Sequence, residues 1–253
     1  MGYHCEQQAF DSGTSRDPVA QRILGILEAC GQKPVTITSL ANTTGLAKST
    51  VHRMCWKLAE LGFLSQEGGK FAVGSKIAAL GSSSTVYKRL RAAAMPYLVE
   101  LQHLAGASQL TVLNGSHSLV LDGMYTRSLR AHPLLGASMP LHCTATGKAL
   151  LAKAELDERE QLLNSISLKF QTRRTIIQPA KLRNELEQIS RVGFATSIEE
   201  FQPGIVAVAA AFRVGEVTIA AIGTLGNSSE AAVLRSSSHV IAAARELGRL
   251  LAI

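Results

Sequence analysis

The chain has 253 residues, 46% of them hydrophobic, enough for two modest domains with real cores. Its net charge of +7 and pI near 9.4 suit a polyanionic partner. Four scattered cysteines (Cys5, Cys30, Cys55, Cys143) with no CxxC pair argue against a zinc finger or a disulfide framework and suit a reducing cytosol, no apolar run is of membrane-spanning length, and the N-terminus lacks a signal-peptide core.

Residues 1–16 read as a polar, disordered tail. Asp17-Pro18 opens the first predicted helix, with Asp as N-cap and Pro at the first helical position. Val19, Ile23, Ile26 and Leu27 give it a buried stripe, and Gly31 closes it. A short second helix is predicted over Ser39 to Thr43, with Thr38 as N-cap and Gly45 supplying a sharp turn. In the third helix Val51, Met54, Cys55 and Leu58 recur at i, i+3, i+4 and i+7. Its other side presents Lys48, Ser49, Thr50, His52, Arg53 and Lys57, and Gly62 suits a left-handed helix end.

Two helices joined by a short Gly-containing turn form a helix-turn-helix. A helix fits the major groove, Arg can bridge guanine O6 and N7, and hydroxyls or a helix N-terminus can bind phosphate. No acidic residue lies between Glu28 and Glu60, although residues 1–86 as a whole hold eight Lys/Arg against six Asp/Glu. Phe63 to Ser65 and Lys70 to Val73 are short strands around Glu67-Gly68-Gly69, a hairpin that would make a winged helix. Thr38, Lys48, Ser49, Thr50, His52, Arg53, Lys57 and Lys70 are therefore the candidate contacts to double-stranded DNA. For Lys70 the alternative is a solvated edge-strand lysine. Trp56 either stacks on sugar or packs under the wing, and packing is favoured.

A short helix is expected around Lys76 to Leu80, a break over Gly81 to Ser84, and a long helix to about Leu104 that Pro96 is placed to kink. From Ala107 the pattern turns to strands: Gln109 to Leu113, a turn at Asn114-Gly115, Leu119 to Leu121, and Leu129 to Leu135. Helices follow at Ala145 to Lys153, Asp157 to Ser165 and Ala180 to Val192. Strands return at Phe194 to Ile198, Ile205 to Arg213 and Val217 to Leu225, and a last helix runs from Glu230 to Leu251. Strands mixed with helices without a βαβ rhythm predict a mixed α/β chain of the α+β class, built on an antiparallel sheet.

Gly147-Lys148 is not a phosphate loop, because His142 stands where Gly is needed and Ala149 where Ser or Thr is needed. Lys148 is read as a salt-bridging or capping residue, His142 as a structural hydrogen-bonder, and no metal spacing or cofactor motif is present. Glu199 and Glu200 are read as adjacent strand residues on opposite faces, one of them toward a pocket or both solvated.

The stretch Gly136 to Ala152, GASMPLHCTATGKALLA, closely resembles the G-x3-PLH-x-TA-x-GKA-x-LA segment of the IclR family of bacterial transcription regulators. TGLAKSTVHRM, KFAVG and Glu199-Glu200 with Gly204 resemble further elements of that family in the right order, so the likeness runs from about Asp17 to near the end. The resemblance implies a non-enzymatic cytoplasmic regulator that forms dimers or tetramers. Its winged helix-turn-helix domain would span residues 17–74 and a helical linker residues 75–105. A GAF-like or profilin-like domain over residues 106–253 would bind a small organic effector, aromatic or carboxylate.

Carried over by position, Ser128, Ala131, Met139, Ala145, Thr146, Ser197, Ala207, Gly223 and Leu225 would line the effector pocket. Thr144 joins them because it stands beside a predicted helix start, where free N–H groups attract carboxylates. A relative that binds a small oxo-acid tends to carry Asp at Ser197 and serines at Gly223 and Leu225, so a larger or less polar ligand is expected here. Family members also often have Pro at Ala211. The competing reading is a small-molecule sensor or enzyme whose winged-helix domain binds protein.

Overall fold

The structure, a computed structural model, describes residues 18–31, 33–126, 135–227 and 231–252. The predicted tail, the Asp17 cap and residues 129–134 of a predicted strand lie outside the described residues. The chain divides into two compact units, residues 1–84 and 85–253.

The first unit contains α1 (Pro18–Gly31), β1 (Val35–Thr36), α2 (Ile37–Thr44), α3 (Lys48–Glu60), β2 (Leu64–Glu67), β3 (Lys70–Val73) and α4 (Ser75–Ser83). Three helices and a small antiparallel sheet of order β1-β3-β2 enclose one core of Ile26, Cys30, Leu40, Val51, Cys55, Leu58, Leu64 and Phe71. The stripe expected on α1 is shifted. Val19 is exposed, Ile23 and Leu27 are half-buried, and Ile26 with Cys30, one turn on, takes the core position.

The cap of α2 is Thr36 rather than Thr38. Its hydroxyl accepts from Ser39 N at 3.2 Å, and the helix starts two residues earlier than its composition suggests. Gly45, at φ 69°, ends it in the left-handed conformation. Strand β1 was not expected; it pairs Val35 with Phe71 and Thr36 with Lys70, so β3 is a central strand and Lys70 is not an edge lysine. Gly68 and Gly69 both have positive φ, the conformation a two-residue hairpin needs to match strand twist.

The second unit contains α5 (Thr85–Ala105), β4 (Ala107–Asn114), β5 (His117–Tyr125), β6 (Ser138–Pro140), α6 (Ala145–Lys153), α7 (Leu156–Ser165), α8 (Pro179–Val192), β7 (Ala195–Ile198), β8 (Ile205–Val214), β9 (Thr218–Asn227), α9 (Ala231–Arg235) and α10 (Ser237–Leu250). Its antiparallel sheet has the order β6-β5-β4-β9-β8-β7. Both faces are covered, so both alternating sets of β8 from Val206 to Phe212 are apolar. Val206, Val208, Ala210 and Phe212 of β8 face α5 and α10, and Ala207, Ala209 and Ala211 face α6 and α8.

Helix α5 packs into this core through Leu90, Ala94, Leu98 and Leu101, and runs without interruption through Pro96. The hairpin predicted at Asn114-Gly115 turns on Gly115-Ser116, since Asn114 pairs with His117. The single terminal helix expected is two, divided at Ser236, whose Oγ lies 2.8 Å from Thr224 Oγ1 and donates to Val233 O at 2.6 Å. Among the described residues no helix is long and apolar enough to cross a membrane.

Gly74 closes the wing by donating its N–H to Phe63 O at 2.8 Å, and a Cβ there would lie 2.2 Å from Gly62 O. We expect Gly74→Ala to cost about 1–3 kcal/mol, the usual range for overpacking. Urea denaturation checks this, and an unchanged midpoint would mean that the wing closes differently.

Candidate functional site

Helix α3 is held by one side only. Val51, Cys55 and Leu58 are buried while Lys48, Ser49, His52, Arg53 and Lys57 are exposed, and Thr50 is half-buried. Thr38 is exposed on the first turn of α2, and Lys70 is exposed beside the wing turn. Lys57 Nζ lies 2.9 Å from Glu60 Oε2, so part of its charge is answered within the helix.

Trp56 packs edge-on against Phe71 of β3, ring centroids 5.8 Å apart, yet stays 48% exposed. Its indole N–H donates to His52 Nε2 at 3.1 Å. An indole only donates, so Nε2 must accept and the proton of a neutral ring sits on Nδ1. Packing with the wing is thus as expected for Trp56; its grip on His52 was not.

Of the second group of predicted residues, Thr144, Ala145 and Thr146 form the start of α6, and Ser197 bonds the residue just before its cap. Residues Ala145 to Ala152 are all buried, because the helix lies between the sheet and α8. Thr144 caps it, its hydroxyl accepting from Gly147 N at 3.1 Å and donating to Pro140 O at 2.8 Å. A Cβ at Gly147 would sit 2.6 Å from Leu141 Cα, so only glycine lets the lead-in fold back this closely. Ser197 Oγ donates to Cys143 O at 2.9 Å. Burial pushes the Cys143 thiol up to about 12, which leaves it unreactive, and lowers the pKa of His142, which bonds Lys169 O through Nε2 at 3.0 Å.

Ser197, Ala207 and Leu225 are successive cross-strand partners, continuing to Ala107. Gly223 occupies the next position on the same face, and a Cβ there would fall 2.4 Å from Val208 O, so it serves close packing of the strands. Met139 stands on β6, at the opposite edge of the sheet from Ser197. In a flat sheet five strand spacings of ~4.8 Å would separate those edges, about 24 Å. The four residues from Met139 to Cys143 span at most about 14 Å, and Ser197 nevertheless bonds Cys143. The sheet therefore curls around the start of α6, which brings Met139, Thr144 to Thr146 and Ser197 toward one concave face.

Two hollows at the described surface lie beside Arg53 and Trp56 on α3 and between β8 and α10. Ser128 and Ala131 lie outside the described residues.

Lys148, read as a salt-bridging or capping residue, does form salt bridges; sequence reading missed its burial and the identity of its partners. Lys148 is fully buried and its Nζ bonds Glu185 on α8 and both carboxylate oxygens of Glu200, at 2.7 and 2.9 Å. Glu199 and Glu200 are not a strand pair. β7 ends at Ile198, Glu199 adopts φ 57°, and this turn swings Glu200 inward. Thr172 and Thr175 hydroxyls hold it there by donating to the Glu199 and Glu200 carbonyls, each at 2.7 Å. The partners of Lys148 stand 37 and 52 residues away, beyond any local pattern.

The family model for the IclR helix-turn-helix domain matches residues 19–68, and the model for the bacterial transcriptional regulator IclR C-terminal domain matches residues 83–249. The chain is 29% identical to the transcriptional repressor IclR of Escherichia coli K12 over 223 residues, 84% of this chain and 81% of that protein. It is 34% identical to the regulator BhcR of Paracoccus denitrificans over 248 residues, 94% and 88% of the two chains. Its fold is similar to a crystal structure of an IclR homolog from Microbacterium hydrocarbonoxydans complexed with 4-hydroxybenzoate (TM-score 0.81, 24% identity, 91% and 97% of the chains). It is also similar to the Thermotoga maritima IclR (TM-score 0.71, 25% identity, 93% and 99%). The matched relatives are transcriptional regulators rather than enzymes.

Burial holds the Glu200 carboxyl above its ordinary value, with the Lys148 charge and hydrogen bond opposing. Lys148→Met removes that opposition, and leaving a buried charge unpaired costs about 3–5 kcal/mol near neutral pH. A carboxyl whose folded pKa is raised supports folding below its unfolded value and loses that support as pH rises through the folded value. The deficit of the variant relative to its parent should therefore shrink as pH falls from about 8 to about 5. Denaturant titrations across that range test this; a deficit independent of pH would contradict it.

Proposed function

The chain belongs to the IclR family of bacterial transcriptional regulators, and on that premise we propose how it works: the outer face of α3 reads operator DNA, and a small organic effector on the concave face of the sheet changes that grip. The observation that carries the reading is the division of α3. Three buried apolar residues fix the helix, and Lys48, Ser49, His52 and Arg53 are left free of the core on its first two turns. These are the turns that meet base edges when a recognition helix enters the major groove. Arg53 is the residue suited to guanine, Lys48 and Ser49 to phosphate, and Lys70 on the wing and Thr38 on α2 to the flanking backbone. Two such units on a two-fold axis would meet half-sites about one helical turn, ~34 Å, apart or a multiple of it. Such a homo-oligomer, dimer or tetramer, acts in the cytoplasm where the DNA is.

The effector reading rests on the curled sheet. The first N–H groups of α6 favour a carboxylate, and Ala207, Leu225 and Met139 supply apolar wall beside Thr144, Ala145 and Thr146. With no charged side chain at positions 197, 223 or 225, this face suits an aromatic carboxylate better than a short oxo-acid. The 4-hydroxybenzoate bound by the Microbacterium homolog is of that class. Effector and DNA affect each other through differential affinity for two arrangements of the protein, a coupling of about 1–3 kcal/mol.

We expect Arg53→Ala to weaken operator binding by about 1–3 kcal/mol and to lower the preference for operator over random duplex. Fluorescence anisotropy on both duplexes measures this, and an equal loss on both would reduce Arg53 to a phosphate contact. Ala207→Trp should fill the concave face. A reporter strain fed aromatic carboxylates would then lose its response while the protein–DNA complex still forms, whereas a retained response would place the effector elsewhere.

A further inference from the structure

The face of the sheet that carries the effector reading and the start of α6 against it together hold three buried hydroxyls with no hydrogen-bond partner among the described residues. Thr111, Ser118 and Thr146 are each at least 99% buried, and Thr111 Oγ1, Ser118 Oγ and Thr146 Oγ1 have no hydrogen-bond partner among the described residues. Buried hydroxyls are rarely left so, because desolvation costs free energy that only a partner returns.

Their placement is not scattered. Thr111 pairs across β4–β9 with Ala221, which packs in the same cluster as Ala145 and Ala149 of α6. Ser118 pairs with Leu113 on one side and Met139 on the other, and its neighbour His117 pairs with Pro140, whose carbonyl holds the α6 cap. Thr111 and Ser118 are diagonal neighbours on β4 and β5, Cα atoms about 7–8 Å apart, a spacing that lets two hydroxyls close on one ligand oxygen. Thr146 stands in the first turn of α6, beside N–H groups that have no acceptor within the helix.

Charge narrows the ligand further. Lys148 is the one buried Lys or Arg among the described residues, and Glu185 and Glu200 already occupy it. A ligand here can place one carboxylate at the helix start but finds no described cation for a second.

We infer that Thr111 and Ser118 form a specificity subsite, separate from the carboxylate end at Thr146, for an uncharged oxygen of the effector: a hydroxyl or carbonyl carried along an apolar body by a monocarboxylate. This rests on the effector reading above and adds to it the position and chemistry of the second polar group. Apolar side chains stand at both ends: Val120 pairs with Thr111, and Leu141 packs in one cluster with Ala145 at the start of α6. A hydrogen-bonding pair at the far end then separates hydroxylated from unsubstituted acids by penalising the ligand that leaves the hydroxyls unmet.

The test uses the full-length protein, the double variant Thr111→Val/Ser118→Ala, and three probes: benzoate, 3-hydroxybenzoate and 4-hydroxybenzoate, titrated calorimetrically. The parent should prefer a hydroxylated probe over benzoate by at least about tenfold. In the double variant the ratio should fall to near one through loss of the hydroxylated probe, with benzoate little changed. Without ligand, each single variant should melt at or above the parent temperature, since an unmet hydroxyl has been removed. A preserved ratio in the double variant would overturn the inference. A lower melting temperature for the ligand-free variants would do so too, by showing the hydroxyls already satisfied by bound water. Benzoate binding without discrimination in the parent overturns the subsite and leaves the effector reading intact. Failure of all three probes to bind overturns the subsite, and the Ala207→Trp response then decides the effector reading by itself.

Discussion

Everything proposed for the first unit depends on α3 having one side it cannot release. Val51, Cys55 and Leu58 are buried with Ile26, Leu40 and Phe71, so rotating the helix to hide its polar side would expose its apolar stripe. Burial of such a side chain is worth about 1.5–3 kcal/mol, more than a surface hydrogen bond returns. The polar side is therefore presented by default. The wing adds a second restraint, because Phe71 meets Trp56 and Trp56 holds His52.

The second unit has a comparable constraint in α6. A helix buried over nearly its whole length cannot move without its neighbours, and three polar ties fix its start: the Thr144 cap, the Ser197 bond to Cys143 O and the Lys148 bonds to α8 and to the 199–200 turn. A buried ion pair is weak evidence for stability but a good device for fixing one arrangement. Here it sets where the free N–H groups of the helix point. A fixed helix start is the property the proposed effector site needs.

Much of this was legible in the sequence where a local period carries the signal. The α3 stripe, the Gly68-Gly69 turn, helix α6 and the long antiparallel strands follow from spacing and turn chemistry. What escaped has physical causes. Thr36 and Thr38 are equally good caps, and only the pairing of Thr36 with Lys70 decides between them. The division at Ser236 leaves no mark because serine is tolerated in helices, and its reason is the contact with Thr224 across the core. Glu199-Glu200 reads as strand because nothing local announces a non-glycine residue with positive φ. The hydroxyl of Thr111 sits in a strand buried on both faces, where alternation no longer separates pocket from core, and serine at position 118 gives no local sign of its burial.

Operator recognition requires α3 to lie against the phosphates of a duplex. Its most direct test is the affinity of the intact protein for the DNA upstream of its own gene, measured over a series of salt concentrations. Each phosphate neutralised contributes a slope of about −0.9 in log affinity against log salt, so the account predicts a steep linear fall. A slope near zero, or no complex at low salt, would contradict it.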